Sequence, residues 1–193
     1  EEDIKFRDGF SEIDGDVRWY EPSTYEEEAE LYLYKLHGSR EWDLTRSHKG
    51  DKYVIITGED KYEGTTDDGE EVRHLQSHGN FLTGGNKVHR YYSGIIGELH
   101  YRFETILRDT DKLIVSGYGW SDKAINHKLF DWLETTENNK MLIIHDDPEE
   151  EMVEDSRYSI WQLQQIMDTE QIHTIEKWFQ NAEIGEVMEF LEK

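Results

Sequence analysis

Cysteine is absent from the 193-residue chain, and this absence excludes several kinds of chemistry at once. Without thiols there are no disulfides, thiolate zinc sites, iron–sulfur clusters or cysteine nucleophiles. The sequence also has no apolar run near the ~20 residues that a membrane-spanning helix needs. Its first residues lack the basic and apolar segments of a signal peptide, so we expect a cytoplasmic protein.

Positive charge is scarce as well. Lys and Arg number 21 against 44 Asp and Glu, which gives a formal net charge of −23. Such a chain is repelled by phosphate backbones and anionic lipids, so we expect no direct nucleic-acid or membrane partner. Aromatic residues make up 12% of the chain, which indicates a folded domain rather than a disordered acidic one. The acidity leaves open whether the protein is adapted to high salt or is only kept soluble by its charge.

The first half of the chain shows few regular patterns. Residues 1–30 are polar and broken by glycines and a proline, and they indicate an irregular, partly extended arm. Apolar runs at 31–36 and 53–57, each followed closely by a glycine, predict two short strands. Residues 58–90 are rich in Gly, Asp, Asn, Ser and His and predict a loop with a short strand near 81–83.

From residue 93 onward, helical and strand patterns alternate. Apolar residues at helical spacing predict a helix over 93–109. Continuous apolar runs at 112–116 and 141–145 are typical of buried parallel strands, and a helix from Lys123 lies between them. Two more helices are predicted over 149–168 and 175–192. This alternation is typical of an α/β domain with a parallel sheet. We assign that domain to residues 1–150, with C-terminal helices over 151–193 packing on it.

The turn after the first of these strands is a candidate ligand site. Residues 117–122 read Gly-Tyr-Gly-Trp-Ser-Asp and lie between strand 112–116 and the following helix. At such a turn glycines let the backbone approach a ligand, and the helix N-terminus attracts phosphate. The structural alternative is a tight turn in which Ser121 or Asp122 caps the helix. The segment matches neither a GxGxxG nor a Walker pattern, so both interpretations stay open.

Two further segments carry candidate chemistry. Residues 145–148 read His-Asp-Asp-Pro, and a carboxylate here could accept hydrogen bonds from ribose hydroxyls, although a helix cap followed by proline is the commoner use of Asp-x-Pro. His37, beside Gly38, is a candidate general base near neutral pH. None of the nine histidines stands in an HExxH pattern, and His74 and His78 fall in the predicted loop, so no zinc site is predicted. No Gly-x-Ser-x-Gly elbow occurs either.

Three segments, in this order and spacing, match those of one known family. Residues 36–42 read Leu-His-Gly-Ser-Arg-Glu-Trp, similar to a segment L-H-G-S-x-x-W. Residues 83–87 resemble a segment G-T-x-x-K. Residues 113–126 are similar to L-I-V-x-G-Y-S-F-x-D-x-x-I-N, with Gly119 at the usual serine. Over roughly residues 4–150 the chain therefore resembles the SIR2-like (sirtuin-related) proteins of prokaryotes.

This resemblance implies a Rossmann-like domain, a parallel sheet flanked by helices, that binds NAD and needs no zinc. It implies that His37 is the catalytic base near the nicotinamide ribose, with Gly38 and Ser39 lining the same site. A neutral histidine can accept a proton from a ribose hydroxyl or activate water as the glycosidic bond breaks. The other positions that the resemblance assigns to the dinucleotide are Gly117, Tyr118, Gly119, Asp122, Asn126, His145 and Asp146.

The sequence also departs from that family. The family's G-A-G-x-S phosphate turn and its T-x-N-Y-D segment, whose Asn assists catalysis, do not occur, and residues 6–10 resemble the stretch after the second. We therefore expect either the C-terminal part of such a domain or a chain whose site is completed by a second copy or another polypeptide.

The absence of cysteine bears on which of the family's activities we expect. The zinc-binding Cys pairs of deacetylating sirtuins are impossible here, which favours an NAD hydrolase of the antiphage-defence type. The alternatives are a module that binds NAD, ADP-ribose or a protein without turnover, and an NAD-dependent protein deacylase.

Overall fold

The computed structural model of the chain describes residues 5–47, 50–57, 62–74, 80–82, 91–147 and 169–192. The chain divides into two compact units, Glu1–Phe103 (unit 1) and Glu104–Lys193 (unit 2). The predicted domain boundary at residue 150, the predicted helix over 149–168 and the family-like segment 83–87 lie outside the described residues.

Short strands build most of unit 1. Within the residues described they are β1 Phe6–Arg7, β2 Val17–Trp19, β3 Leu31–Tyr32, β4 Gly38–Ser39, β5 Asp43–Ser47, β6 Gly50–Ile56, β7 Glu63–Thr65, β8 Glu71–Arg73 and β9 Asn80–Phe81. β2, β6 and β5 form an antiparallel sheet in that order. The others pair two by two, β1 with β3 in parallel, β4 with β9 and β7 with β8 antiparallel. A 3-10 helix, Pro22–Glu26, follows β2.

Two hydrophobic clusters hold unit 1 together. The first consists of Phe10, Tyr25, Trp42, Leu82, Ile95, Ile96 and Leu99. The second lies on the three-stranded sheet and consists of Val17, Trp19, Val54, Ile56 and Val72. Burial of each such side chain contributes about 1.5–3 kcal/mol. The prediction for residues 1–30 is confirmed in part: the described residues from Lys5 onward are irregular with short extended strands. They are not an arm, however, because Phe10, Val17 and Tyr25 are core residues.

Unit 2 is built around a parallel sheet. Three strands, β10 Lys112–Ser116, β11 Lys140–His145 and β12 Ile172–Glu176, pair in the order β10-β11-β12. Helix α1, Gly94–Arg108, begins in unit 1 and ends in unit 2, and unit 2 also contains α2, Lys123–Thr135, and α3, Ile184–Glu192. β11 lies in the middle, and its residues 141–144 are fully buried. The α/β class with a parallel sheet is confirmed, and α1, β10, α2 and β11 lie where the sequence predicts them.

The C-terminal segment differs from the prediction. Residues 172–176 form strand β12 and residues 179–181 a 3-10 helix, so the predicted helix over 175–192 is wrong before Ile184. Helix α3 packs Phe190 and Val187 against Leu142 and Ile144 of β11. The spacing of Ile175, Trp178, Phe179 and Ala182 fits a helix as well as it fits a strand followed by a turn, and pairing with β11 decides for the strand.

The predictions for residues 31–90 are only partly confirmed. The strand predicted over 31–36 is limited to Leu31–Tyr32, whereas the strand over 53–57 is present within β6. The predicted loop over 58–90 contains β7, β8 and β9 in its described residues. In the part of the chain that the structure describes, no helix is both long enough and apolar enough to span a membrane.

Candidate functional site

The candidate site in unit 2 lies at the carboxyl end of the parallel sheet. Because β10, β11 and β12 are parallel, the segments after them leave the sheet at the same edge. Ser116 pairs with Ile144, and His145 pairs with Glu176. The turn over 117–122 therefore begins next to the end of β11. Open α/β sheets bind their ligands at this edge.

The backbone of the turn over 117–122 takes an unusual path. Gly117 has φ +62°, and a Cβ added there would meet no atom within 4 Å. Trp120 also has a positive φ, +47°, which costs a residue with a Cβ roughly 1–2 kcal/mol. Gly117 and Gly119 are exposed while the Trp120 ring is buried. The turn thus presents glycine main chain to solvent and is anchored by its tryptophan.

Asn126 of α2 fixes the shape of this turn through its side-chain hydrogen bonds. Its side chain is fully buried, and its Nδ2 donates to the carbonyl oxygen of Trp120 at 2.6 Å. Its Oδ1 lies 2.7 Å from the hydroxyl of Tyr118, which donates to it. The Trp120 ring stacks on Phe130 of α2, with centroids 5.8 Å apart. Together these contacts hold the left-handed Trp120 in place.

Asp122 caps helix α2. Its Oδ1 accepts from the backbone N–H groups of Ala124 at 3.0 Å and Ile125 at 3.3 Å. The capping alternative is thus observed for Asp122, and its carboxylate occupies donors that a phosphate would otherwise use. An anion bound at this edge would be held by the glycine main chain rather than by the end of α2.

Acidic and aromatic side chains follow β11 and β12. His145 Nδ1 accepts from the backbone N–H of Asp147 at 3.1 Å and lies 3.2 Å from Oδ1 of Asp146. The imidazole packs against Trp178, with ring centroids 5.5 Å apart, and Trp178 is 50% exposed. Asp146 and Asp147 are exposed and could accept hydrogen bonds from hydroxyl groups of a ligand.

His37 lies in unit 1, in a turn before β4. Its side chain is exposed, and the backbone N–H of Gly38 donates to the carbonyl of Lys35 at 2.8 Å, which closes the turn. Gly38 has φ +79°, a conformation that favours glycine. Gly38 and Ser39 form β4, and the N–H of Leu82 donates to the carbonyl of His37 at 2.8 Å. A side chain at this position is accessible to solvent.

The structure thus divides the candidate residues into two groups. Gly117, Tyr118, Gly119, Asp122 and Asn126 share one turn, and His145 and Asp146 end the neighbouring strand. His37, Gly38 and Ser39 belong to the other unit. Sequence reasoning missed Trp178 because the segment around it was predicted to be helical.

A buried histidine–aspartate pair was also missed. His74 Nδ1 lies 3.0 Å from Oδ2 of Asp43, which is 4% exposed. The two residues are far apart in the sequence, so no local spacing could have indicated their contact. Among the described residues, no group of three or more His, Asp or Glu side chains is arranged to hold a metal ion.

No protein-family model matches the sequence, and no curated protein matches it.

Proposed function

We propose that the chain is a SIR2-like NAD hydrolase. In the proposed reaction water adds to C1′ of the nicotinamide ribose, the C1′–N bond breaks, and nicotinamide, ADP-ribose and a proton are released. The observation that carries the proposal is the exposed turn of Gly117 and Gly119 at the carboxyl end of β10, next to the acidic end of β11.

The groups at this edge suit the ADP-ribose part of NAD. Exposed glycine main chain can approach a diphosphate without steric conflict, and it carries no negative side chain. The carboxylates of Asp146 and Asp147 would repel phosphates but can accept hydrogen bonds from ribose hydroxyls. The proposal therefore places the diphosphate at the glycines and a ribose at the end of β11.

His37 is the proposed catalytic base. The reaction needs a group that accepts a proton from a ribose hydroxyl or from the attacking water, and a neutral imidazole does this near pH 7. The role is taken from the resemblance of residues 36–42 to the SIR2-like segment. In the structure, its imidazole is exposed and lies in a turn beside Gly38, so it is accessible to a ligand.

A binding module without turnover is the second candidate. It is favoured by the observation that Tyr118, Asp122 and Asn126 use their polar atoms within the protein, so that they shape the turn. A module of this kind would bind NAD or ADP-ribose without releasing nicotinamide. The remaining alternative, an NAD-dependent protein deacylase, would release nicotinamide only in the presence of an acyl-lysine peptide.

Nicotinamide release from NAD tests the proposal. We expect the parent to release nicotinamide without any peptide, and His37→Ala to lose that release while its circular dichroism stays unchanged. His127→Ala, at an exposed histidine of α2, is the matched control and should keep the parental rate. Turnover by His37→Ala would remove His37 from the mechanism.

Binding of NAD, measured by calorimetry, separates the two candidates. A parent that binds NAD but releases no nicotinamide would be the binding module. A parent that neither binds NAD nor releases nicotinamide would overturn both proposals.

A further inference from the structure

β10 has an open edge. It pairs with β11 on one side, and no described residue forms a backbone hydrogen bond with its other side. In the part of the chain that the structure describes, that side offers N–H and C=O groups without a backbone partner, which is a template for a further strand. The edge lies in unit 2, and the glycine turn over 117–122 begins directly after its last residue, Ser116.

The sequence of β10 is that of an inner strand. Its central residues, Leu113, Ile114 and Val115, form an uncharged apolar run, as in strands of parallel sheets whose two faces are both buried. Ile114 is nevertheless 38% exposed. Exposed edges of natural sheets are normally protected by charged residues or proline. In β10 the one charged residue is Lys112 at its first position, and residues 113–116 contain neither.

β12, at the other edge of the same sheet, shows the contrast. Its sequence Ile-His-Thr-Ile-Glu alternates apolar and polar residues, and Lys177 follows directly. Such a strand is suited to remain at an edge in water. Of the two edges that the described strands of this sheet form, the β10 edge is the less protected.

We propose that the open edge of β10 pairs with β10 of a second copy of the chain. A two-fold axis makes the two strands antiparallel, and with the axis at Ile114 the run is self-complementary. Leu113 of one copy then faces Val115 of the other, and Lys112 faces Ser116. Each chain carries a net charge of −23, but the paired segment contains no carboxylate, so pairing does not place negative side chains of the two copies opposite each other.

Light scattering coupled to gel filtration tests the proposal. The runs use about 0.5 M NaCl, which shortens the screening length to a few ångströms and reduces repulsion between the copies. We expect the parent to elute with twice the mass of one chain. Ile114→Lys places two like charges opposite each other, and it should raise the dimer Kd at least about tenfold.

The matched control is Ile184→Lys, at a residue of α3 that is 82% exposed. It adds the same charge away from the edge and should leave the dimer intact. A monomeric parent would overturn the proposal. So would a dimer that Ile114→Lys leaves unchanged, or one that both variants dissociate equally.

Hydrogen exchange of the parent tests pairing at the β10 edge if Ile114→Lys fails to fold. In the parent, amides of residues 113–116 should exchange more slowly as the protein concentration rises through the dimer Kd. Protection that does not depend on concentration would contradict pairing at this edge.

Discussion

Asn126 is the residue on which the shape of the glycine turn depends most directly. It is fully buried and bonded to both Trp120 and Tyr118, so Asn126→Ala leaves a buried carbonyl without its donor and a small cavity. We expect a loss of about 2–3 kcal/mol in the free energy of unfolding, measured by urea denaturation. Ser121→Ala, in the exposed part of the same turn, should change it by less than about 0.5 kcal/mol. Equal effects of the two substitutions would contradict the assigned role of Asn126.

Gly117 is the residue whose backbone the proposed ligand approaches. At φ +62° a β-branched residue is strained, and its side chain would occupy the open space above the turn. We expect Gly117→Val to weaken NAD binding at least about tenfold by calorimetry. Gly69→Val is a matched control, because Gly69 also has a positive φ, +87°, and open space around it but lies in unit 1. Unchanged affinity in Gly117→Val would place the nucleotide elsewhere.

The residues of the turn were predictable to different degrees. The sequence indicated Asp122 as a helix cap because that preference is local, and the structure shows its bonds to Ala124 and Ile125. The hydrogen bonds of Asn126 were not predictable. They depend on the left-handed Trp120, which brings its carbonyl back over the first turn of α2, and no local propensity favours such a conformation for tryptophan.

At the scale of elements, α3 is held partly by an ion pair that should respond to pH. Lys177 Nζ lies 2.8 and 3.0 Å from the two carboxylate oxygens of Glu186. The hydrogen bond from Lys177 lowers the pKa of Glu186 below its ordinary value, and the same bond raises the pKa of Lys177. Because the folded-state pKa of Glu186 is lowered, its contribution is complete above the unfolded pKa of ~4.3 and is lost as the pH falls through the folded value.

Glu186→Gln tests this contribution. The variant should unfold at a lower urea concentration than the parent at pH 7, and the difference should shrink as the pH falls through the lowered folded-state pKa of Glu186 and vanish below it. The contribution is small because both side chains are substantially exposed. Glu192→Gln, at the exposed end of the same helix, should match the parent throughout. A difference between parent and Glu186→Gln that stays constant as the pH is lowered would show that the ion pair is not its cause.

The elements differ in how far sequence alone predicts them. α1 and α2 carry apolar residues at helical spacing over 13 residues or more, and β11 is a continuous buried run, so each shows a pattern long enough to detect. The paired strands β1, β3, β4 and β9 have two residues each, which is too short for any period. Their positions depend on partners distant in the sequence, as in the pairing of Gly38 with Phe81.

At the scale of the whole molecule, the same limit explains why unit 2 was predicted better than unit 1. Local alternation of helix and strand specifies a parallel sheet with few alternatives, whereas unit 1 is assembled from contacts such as that of Phe10 with Trp42, whose rings lie 5.3 Å apart. For the candidate site, the family resemblance adds a prediction that local patterns do not give. It selected His37 from nine histidines, which composition and spacing could not do.

The net charge of −23 should make the stability of the whole chain depend on salt. Carboxylates crowd one another in the folded state, and the screening length shortens from about 30 Å at 0.01 M salt to about 3 Å at 1 M. We therefore expect the Tm to rise between these NaCl concentrations. Each gain of about 1 kcal/mol in the free energy of unfolding raises the Tm by roughly 2–4 °C for a chain of this size.

A charge reversal distinguishes screening from other effects of salt. Glu28 is exposed and is the last residue of the acidic run Glu26–Glu28, so Glu28→Lys relieves repulsion without removing a packed side chain. We expect this variant to have a higher Tm than the parent at 0.01 M NaCl and the same Tm at 1 M, because the repulsion it relieves is then already screened. A Tm that rises equally with salt in both proteins would mean that the salt acts on hydrophobic burial instead, since that term does not depend on surface charge.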